Sequence, residues 1–497
     1  MPTTSPVAMS KRRIIAVLAM IILFSEIATF EILMVLPALP RMATEFQTLS
    51  IAWVASIVTL AGATAMPLIG KASDKWGKKR TIVILGLIFV AGSVLSAVTT
   101  SFALLLAGRA MQGVLVGVVS ISYGLVRDIM PREFVPVALG AVVTGVGMSA
   151  VAGPFLAGWL IDNHGFRAVF WFLAVYVLVL LPIYMIVVPE SPIRSDRPID
   201  YFGVATLGPG IMLLLVAVSK GKVWGWTAPS TLVLAAAGVA MLAVFVWWQK
   251  RAPHPLIDLR ILTGPKFGLT VVAVACVGYM MSAHSLLMPI MLQTPVTDGI
   301  TYAAGLSATS LAIWTCPLGI TAMAMGPVGG AVAKRFGARR VLLTAGGLFL
   351  AVMFLGSRLM TLQWQIGILS AIAGAAVGFL HSSNANLVQD ALPAGLSGIG
   401  ASISGMFSML AGGIATTLTG VVLSGHVVST GTTTHSAMYS DSGIRQAFLV
   451  AGLVGSVGVA LVAAMKHGRG PAQGGLEEAL PPETEAEPAA TAVGHGL

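Results

Sequence analysis

The chain has 497 residues, 56% of them hydrophobic and only 10% charged, with a mean hydropathy of +0.90. A soluble domain carries about 25% charged residues, so a soluble fold is excluded. A disordered chain or disulfide scaffold is excluded too, which leaves an all-α polytopic membrane protein. The net charge of +10 is no nucleic-acid signature: five of the 19 acids crowd into 477–487, and a basic excess in a membrane protein marks loops that face anionic lipid.

A helix needs about 20 apolar residues to cross the hydrocarbon. Fourteen stretches qualify, at roughly 14–37, 51–70, 81–99, 102–126, 135–161, 167–188, 203–219, 231–249, 267–293, 304–332, 341–360, 363–389, 398–424 and 445–465. The first is long enough to be a span and has no small-residue cleavage site after a short apolar core, so no removable leader is read. Cys276 and Cys316 sit in apolar runs as packing residues, and no metal-ligand spacing occurs.

With the N-terminus inside, the inward segments carry 22 Lys and Arg and the outward ones 6. That asymmetry predicts both termini in the cytoplasm and an even number of spans.

The pattern Gly70, Asp74, Lys75, Trp76, Gly77, Lys79, Arg80 returns as Gly330, Lys334, Arg335, Phe336, Gly337, Arg339, Arg340, at an offset of 260. Parallel repeats of this kind predict two six-helix halves about an axis along the membrane normal. The expected organisation is a cytoplasmic N-terminus over 1–13, an N-terminal bundle over 14–188 and a linker with two inserted helices over 189–266. A C-terminal bundle over 267–465 and a disordered cytoplasmic tail over 466–497 follow.

With these residues in view, the chain resembles the major facilitator superfamily, in its 14-span drug–proton antiporter branch, over essentially 11–466. Residues 70–80 match the family's signature between the second and third spans. Arg109, Gln112 and Gly113 match its fourth-span motif, and Gly145, Gly153, Pro154 and Gly158 its fifth-span antiporter motif. Lys222, Trp224 and Trp226, with Pro255, Asp258 and Arg260, resemble segments flanking the inserted eighth span. The resemblance implies proton-driven export of lipophilic, often cationic compounds across a bacterial inner or plasma membrane; a monomer is expected. Aligned on Pro37, Ala28 falls where many relatives carry an Asp; the acids here are Glu26 and Glu31. Lys334 replaces Asp74 in the second loop copy.

Ionisable groups within hydrocarbon are costly and mark function by default. Glu26, Glu31, Arg109, His284 and His381 are such groups. Glu26 lies eleven residues before Pro37, about 16 Å from the outer edge and near the midplane; Glu31 lies about 9 Å deep and Arg109 about 10 Å deep. Arg109 cannot shed its proton, and Glu31 is its best depth match. The two Glu side chains point about 140° apart, which places one toward a cavity and the other against a neighbouring helix. A carboxyl that alternates between wet and dry surroundings loads and unloads a proton, so Glu26, with Glu31 and Arg109, is the expected coupling group.

Gly70, Asp74, Gly77, Lys78 and Arg80 read as a cytoplasmic latch in which Asp74 accepts from backbone donors or pairs with Arg80 or another Arg. The fifth-span Gly and Pro residues read as a tightly packed, bent helix that closes a leak. Tyr123, Tyr279, His284, Trp314, His381 and Asn384 are the candidates for a substrate cavity. No phosphate-cradling loop or catalytic domain exists, so neither enzyme activity nor a cofactor is expected. The partners expected are a small lipophilic substrate, protons and the lipid bilayer, with no nucleic acid. The alternatives are a dedicated exporter of one metabolite, siderophore or lipid, and a nontransporting scaffold or sensor.

Overall fold

A computed structural model describes residues 10–48, 51, 53–195, 198–256, 259–296, 299–302, 304–306, 308–359, 362–392, 396–430 and 437–472. Arg197, Asp258 and the acidic tail from 473 lie outside these. Among the described residues, fourteen helices are long and apolar enough to cross a membrane. They are span 1 (Lys11–Ala38), span 2 (Trp53–Trp76), span 3 (Lys78–Val98), span 4 (Phe102–Ile129), span 5 (Val135–His164), span 6 (Arg167–Val187) and span 7 (Tyr201–Val218). Span 8 (Pro229–Gln249), span 9 (Phe267–Gln293), span 10 (Ser310–Phe336), span 11 (Ala338–Gly356), span 12 (Gln363–Asp390), span 13 (Ser397–Leu423) and span 14 (Asp441–Ala464) complete the set. Between spans 13 and 14, β1 (Val427–Thr430) pairs antiparallel with β2 (Ala437–Tyr439), held by the Tyr302 hydroxyl donating to the Tyr439 carbonyl at 2.8 Å.

The apolar side chains form two large cores. One is built on spans 1 to 6, with Ala385 of span 12 joining it, and the other on spans 9 to 14. Span 5 packs along span 10 and span 2 along span 13, which joins the two six-helix halves. A third, smaller core places Leu207 and Ile211 of span 7 and Phe245 of span 8 with Met66 of span 2 and Ile403 and Met406 of span 13. The inserted pair therefore rests on the seam between the halves. Asp200 ties it together, capping span 7 through the Gly203 amide at 2.8 Å and accepting from Trp248 Nε1 at 3.0 Å and Gln249 Nε2 at 2.7 Å.

The repeat read from the sequence is matched in backbone geometry. Gly77 and Gly337 precede spans 3 and 11 with φ of +107° and +91°, a region in which L side chains are strained. Each turn is covered by the chain leaving its own half. Glu190, just past span 6, accepts from the Lys79 and Arg80 amides at 2.9 and 3.0 Å. Just past span 14, the Gly468 carbonyl accepts from the Arg339 amide at 3.0 Å. A carboxylate thus caps one half where backbone carbonyl caps the other.

Candidate functional site

Span 1 is regular over Lys11–Ser25 and again over Ile27–Val35, and it lapses at Glu26. A side-chain group inserted at the ladder is a standard cause of such a lapse. Here the Tyr176 hydroxyl of span 6 lies 2.9 Å from the Leu23 carbonyl oxygen, and Ser149 of span 5 donates to the Glu26 carbonyl at 3.2 Å. Gly145 admits span 1 at this level: a Cβ there would lie 3.0 Å from both the Glu26 Cβ and the Ile22 carbonyl oxygen.

Both acids of span 1 are buried, Glu26 at 2% exposure and Glu31 at 1%. In this conformation neither lines open space, contrary to the expectation that one would, because each is taken up by a neighbouring helix. Glu31 forms an ion pair with Arg109, itself 1% exposed. Arg109 is held further by Nε donating to the Val54 carbonyl at 3.0 Å and Nη1 to Gln112 Oε1 at 2.6 Å, while Gln112 Nε2 donates to Ser93 Oγ at 2.7 Å. A Cβ on Gly113 would lie 2.5 Å from the Val58 carbonyl oxygen, so this glycine sets the approach of span 4 to span 2. Among the described residues, no cation pairs with Glu26. Its Oε1 meets the Tyr176 hydroxyl, and its Oε2 is buried with no hydrogen-bond partner among the described residues.

A second charged cluster lies at the end that carries the basic loops. Asp74 accepts from the Gly398 and Ile399 amides at 3.0 and 2.9 Å, the first donors of span 13 in the opposite half. Its ion-pair partner is Lys78 at 3.4 Å, not Arg80, and among the arginines it is Arg127 that interacts with it electrostatically. The turn at Gly77 aims Lys78 inward; Arg80, two residues further round span 3, is exposed. Lys78 in turn pairs with Asp128 at 2.7 Å, and Ser191 also donates to Asp128. Gly70 brings span 2 against span 13, since a Cβ would lie 2.6 Å from Ser402 Oγ.

The sequence reading missed Arg127, counting it only as a loop cation. It is 1% exposed and crosses between the halves, donating to the Leu392 carbonyl at 2.9 Å and Gln389 Oε1 at 3.3 Å. It missed Tyr176 as well, since a Tyr in an apolar run gives no polar signal. The strap over the cluster was likewise unseen: beyond Glu190 and Ser191, the Ser195 amide donates to the Asp74 carbonyl at 2.7 Å.

The fifth-span residues divide. Gly145 makes a close approach, Gly153 has ordinary contacts at 3.5 Å or more, and Gly158 has nothing within 4 Å. Span 5 runs as one helix through Pro154. The tight contacts belong instead to Gly140 and Gly147, where a Cβ would lie 2.2 Å from the Gly326 carbonyl oxygen and 2.5 Å from that of Gly319. The seven-residue spacing common to both pairs, on helices running in opposite directions, was the available signal. Of the cavity candidates, Tyr123 and Tyr279 are buried within the two cores, and His284 is buried with no partner for Nδ1 among the described residues. Trp314, His381 and Asn384 are half-buried, and Asn384 Oδ1 accepts from Ser404 Oγ at 2.9 Å.

The contacts between the halves thus run from the basic end, through Asp74, Arg127 and Gly140, to about mid-helix at Gly147. Comparison with known proteins agrees with this architecture. The solved structure of the proton:xylose symporter XylE superposes with a TM-score of 0.64 at 11% identity, over 94% of this chain and 98% of that one. Among curated sequences, the "Multidrug resistance protein B homolog" of Mycobacterium tuberculosis is 31% identical over 62% of this chain and 56% of its own length. The "Probable actinorhodin transporter" of Streptomyces coelicolor is 31% identical over 66% of this chain and 58% of its own. The chain spans between 56% and 58% of the length of these curated relatives. The profile of the Major Facilitator Superfamily matches residues 18–416, and the chain belongs to that family of membrane transporters, which are not enzymes.

Proposed function

We propose that the protein exports lipophilic cations across a bacterial cytoplasmic membrane in exchange for protons, as a monomer with both termini in the cytoplasm. The observation that carries this reading is the unequal treatment of two buried acids on one helix. Glu31 and Arg109 neutralise each other, and a proton on Glu31 would strand a buried guanidinium, a costly arrangement. Among the described residues, Glu26 meets a neutral hydroxyl at one oxygen and has no partner for the other. It is the group free to exchange a proton, and a bound cation would favour its ionised form.

The 22-to-6 split of basic residues supports the orientation. In that orientation the Asp74 and Arg127 contacts close the cytoplasmic side. Alternating access would break them as the halves rock, driven by proton entry down a pH difference worth about 1.4 kcal/mol per unit, since one proton exchanged for one monovalent cation moves no net charge. Trp314, His381 and Asn384 are the substrate contacts we favour, because they keep some exposure where Tyr123, Tyr279 and His284 are buried.

The test is efflux of ethidium from cells with and without a protonophore. Protonophore-sensitive efflux by the wild type that is lost in Glu26→Gln supports the reading. Efflux retained in Glu26→Gln moves the carrier to Glu31. A second reading, a dedicated exporter of one metabolite, is favoured by the likeness to a protein named for actinorhodin transport. It predicts no wild-type efflux of ethidium or other lipophilic cations.

A further inference from the structure

A tyrosine hydroxyl has one hydrogen to donate. The Tyr176 oxygen nevertheless meets two oxygens, the Leu23 carbonyl at 2.9 Å and Glu26 Oε1. A carbonyl only accepts. When Tyr176 donates to Leu23, its contact with Glu26 is therefore a hydrogen bond only if the carboxyl carries a proton and donates to Tyr176. When Glu26 is ionised, the hydroxyl hydrogen turns to the carboxylate and Leu23 loses its donor. Leu23 lies one turn before the lapse in span 1, so the lost bond falls where the helix is already irregular.

We propose that Tyr176 is a positioning residue that converts the protonation state of Glu26 into a change at the break of span 1. Its single hydrogen is shared between the Glu26 side chain and the Leu23 backbone. This rests on the reading of Glu26 as the proton carrier. With Glu26 protonated, span 6 grips span 1 at both points. With Glu26 ionised, the backbone grip is released and the outer part of span 1 is freed to move. The proton leaves Glu26 for the aqueous side, and Tyr176 keeps its own.

The remaining surroundings leave this role to Tyr176. Span 5 presents Gly145 and the hydroxyl of Ser149, and neither is charged. Span 4 presents Ser122, which bonds Ser25 at 2.9 Å. The nearest charges along span 1 are Glu31 and its partner Arg109, which already satisfy each other. The Tyr176 ring is fixed by Phe30 and Phe172, with centroids 5.9 and 5.8 Å away. Tyr176→Phe therefore removes the hydroxyl and keeps the packing.

The test uses the full chain in liposomes, with wild type, Glu26→Gln and Tyr176→Phe. Two signals are followed against pH. One is the infrared carboxyl band of Glu26, assigned by its loss in Glu26→Gln. The other is the distance between spin labels on Leu36→Cys and Ile313→Cys, both exposed positions, in a background without Cys276 and Cys316. In the wild type both signals are expected to titrate together. In Tyr176→Phe the band still titrates, the distance stops following pH, and ethidium exchange falls about tenfold or more, the loss expected when a charge-assisted hydrogen bond is removed. A Tyr176→Phe distance that follows pH as in the wild type overturns the proposal. A distance that titrates unchanged in Glu26→Gln overturns the proton reading itself, and this inference with it.

Discussion

Glu31 and Arg109 form a unit in which each is needed to make the other tolerable. Both are about 1% exposed, and a buried charge left without its partner costs about 3–5 kcal/mol. Arg109→Ala and Glu31→Gln are each expected to lower the thermal midpoint of the purified protein sharply. A double variant with two neutral, hydrogen-bonding residues is expected to fall less than either single, because no lone charge remains. A double-mutant cycle by thermal unfolding checks the sign. This pair was legible in the sequence, since helical rise alone sets two span positions at similar depth. Tyr176 was not, because depth matching needs a charge to start from. The backbone donors to Asp74 were anticipated, but its ion pair was placed on Arg80 for a related reason: pattern spacing shows which residues are near, while the positive φ at Gly77 decides which of Lys78 and Arg80 turns inward.

At the scale of elements, close helix approach is concentrated at a few glycines. A Cβ at position 140 would lie 2.2 Å from the Gly326 carbonyl oxygen, and backbone cannot step aside as a side chain can. Gly140→Ala is therefore expected to separate spans 5 and 10 and to abolish transport. Gly158→Ala has open space, gains helix propensity of about 1 kcal/mol and leaves transport intact. Efflux by the two variants, at matched expression, checks this contrast. The sequence motif marked Gly158 and passed over Gly140, since a motif records residue type and not what the helix faces. Asp74→Asn keeps the side-chain volume but loses the charge held by two span 13 amides and Lys78. It is expected to widen the distance between spin labels placed on spans 2 and 13 at the basic end, and an unchanged distance would show that the latch carries no weight.

For the whole molecule, the sequence was informative wherever composition and periodicity suffice. Fourteen spans, a repeat at an offset of 260 and an inserted pair all follow from apolar run lengths and one repeated loop, and the fold agrees. Contacts between the halves were out of reach, because Arg127 and Gln389 are 262 positions apart and share no pattern. The two halves are alike in backbone and unlike in charge. Asp74 fastens one to span 13, while its counterpart Lys334 is exposed. A cation there is ill suited to a helix N-terminus, so the latch belongs to one half only.

The most direct test of the central claim is made in liposomes that contain the purified protein and a pH-sensitive dye. Ethidium is added to one side with no imposed proton gradient. The wild type is expected to move protons opposite to ethidium, and Glu26→Gln to move neither. Ethidium movement without protons, or proton movement in Glu26→Gln equal to that of the wild type, would contradict it.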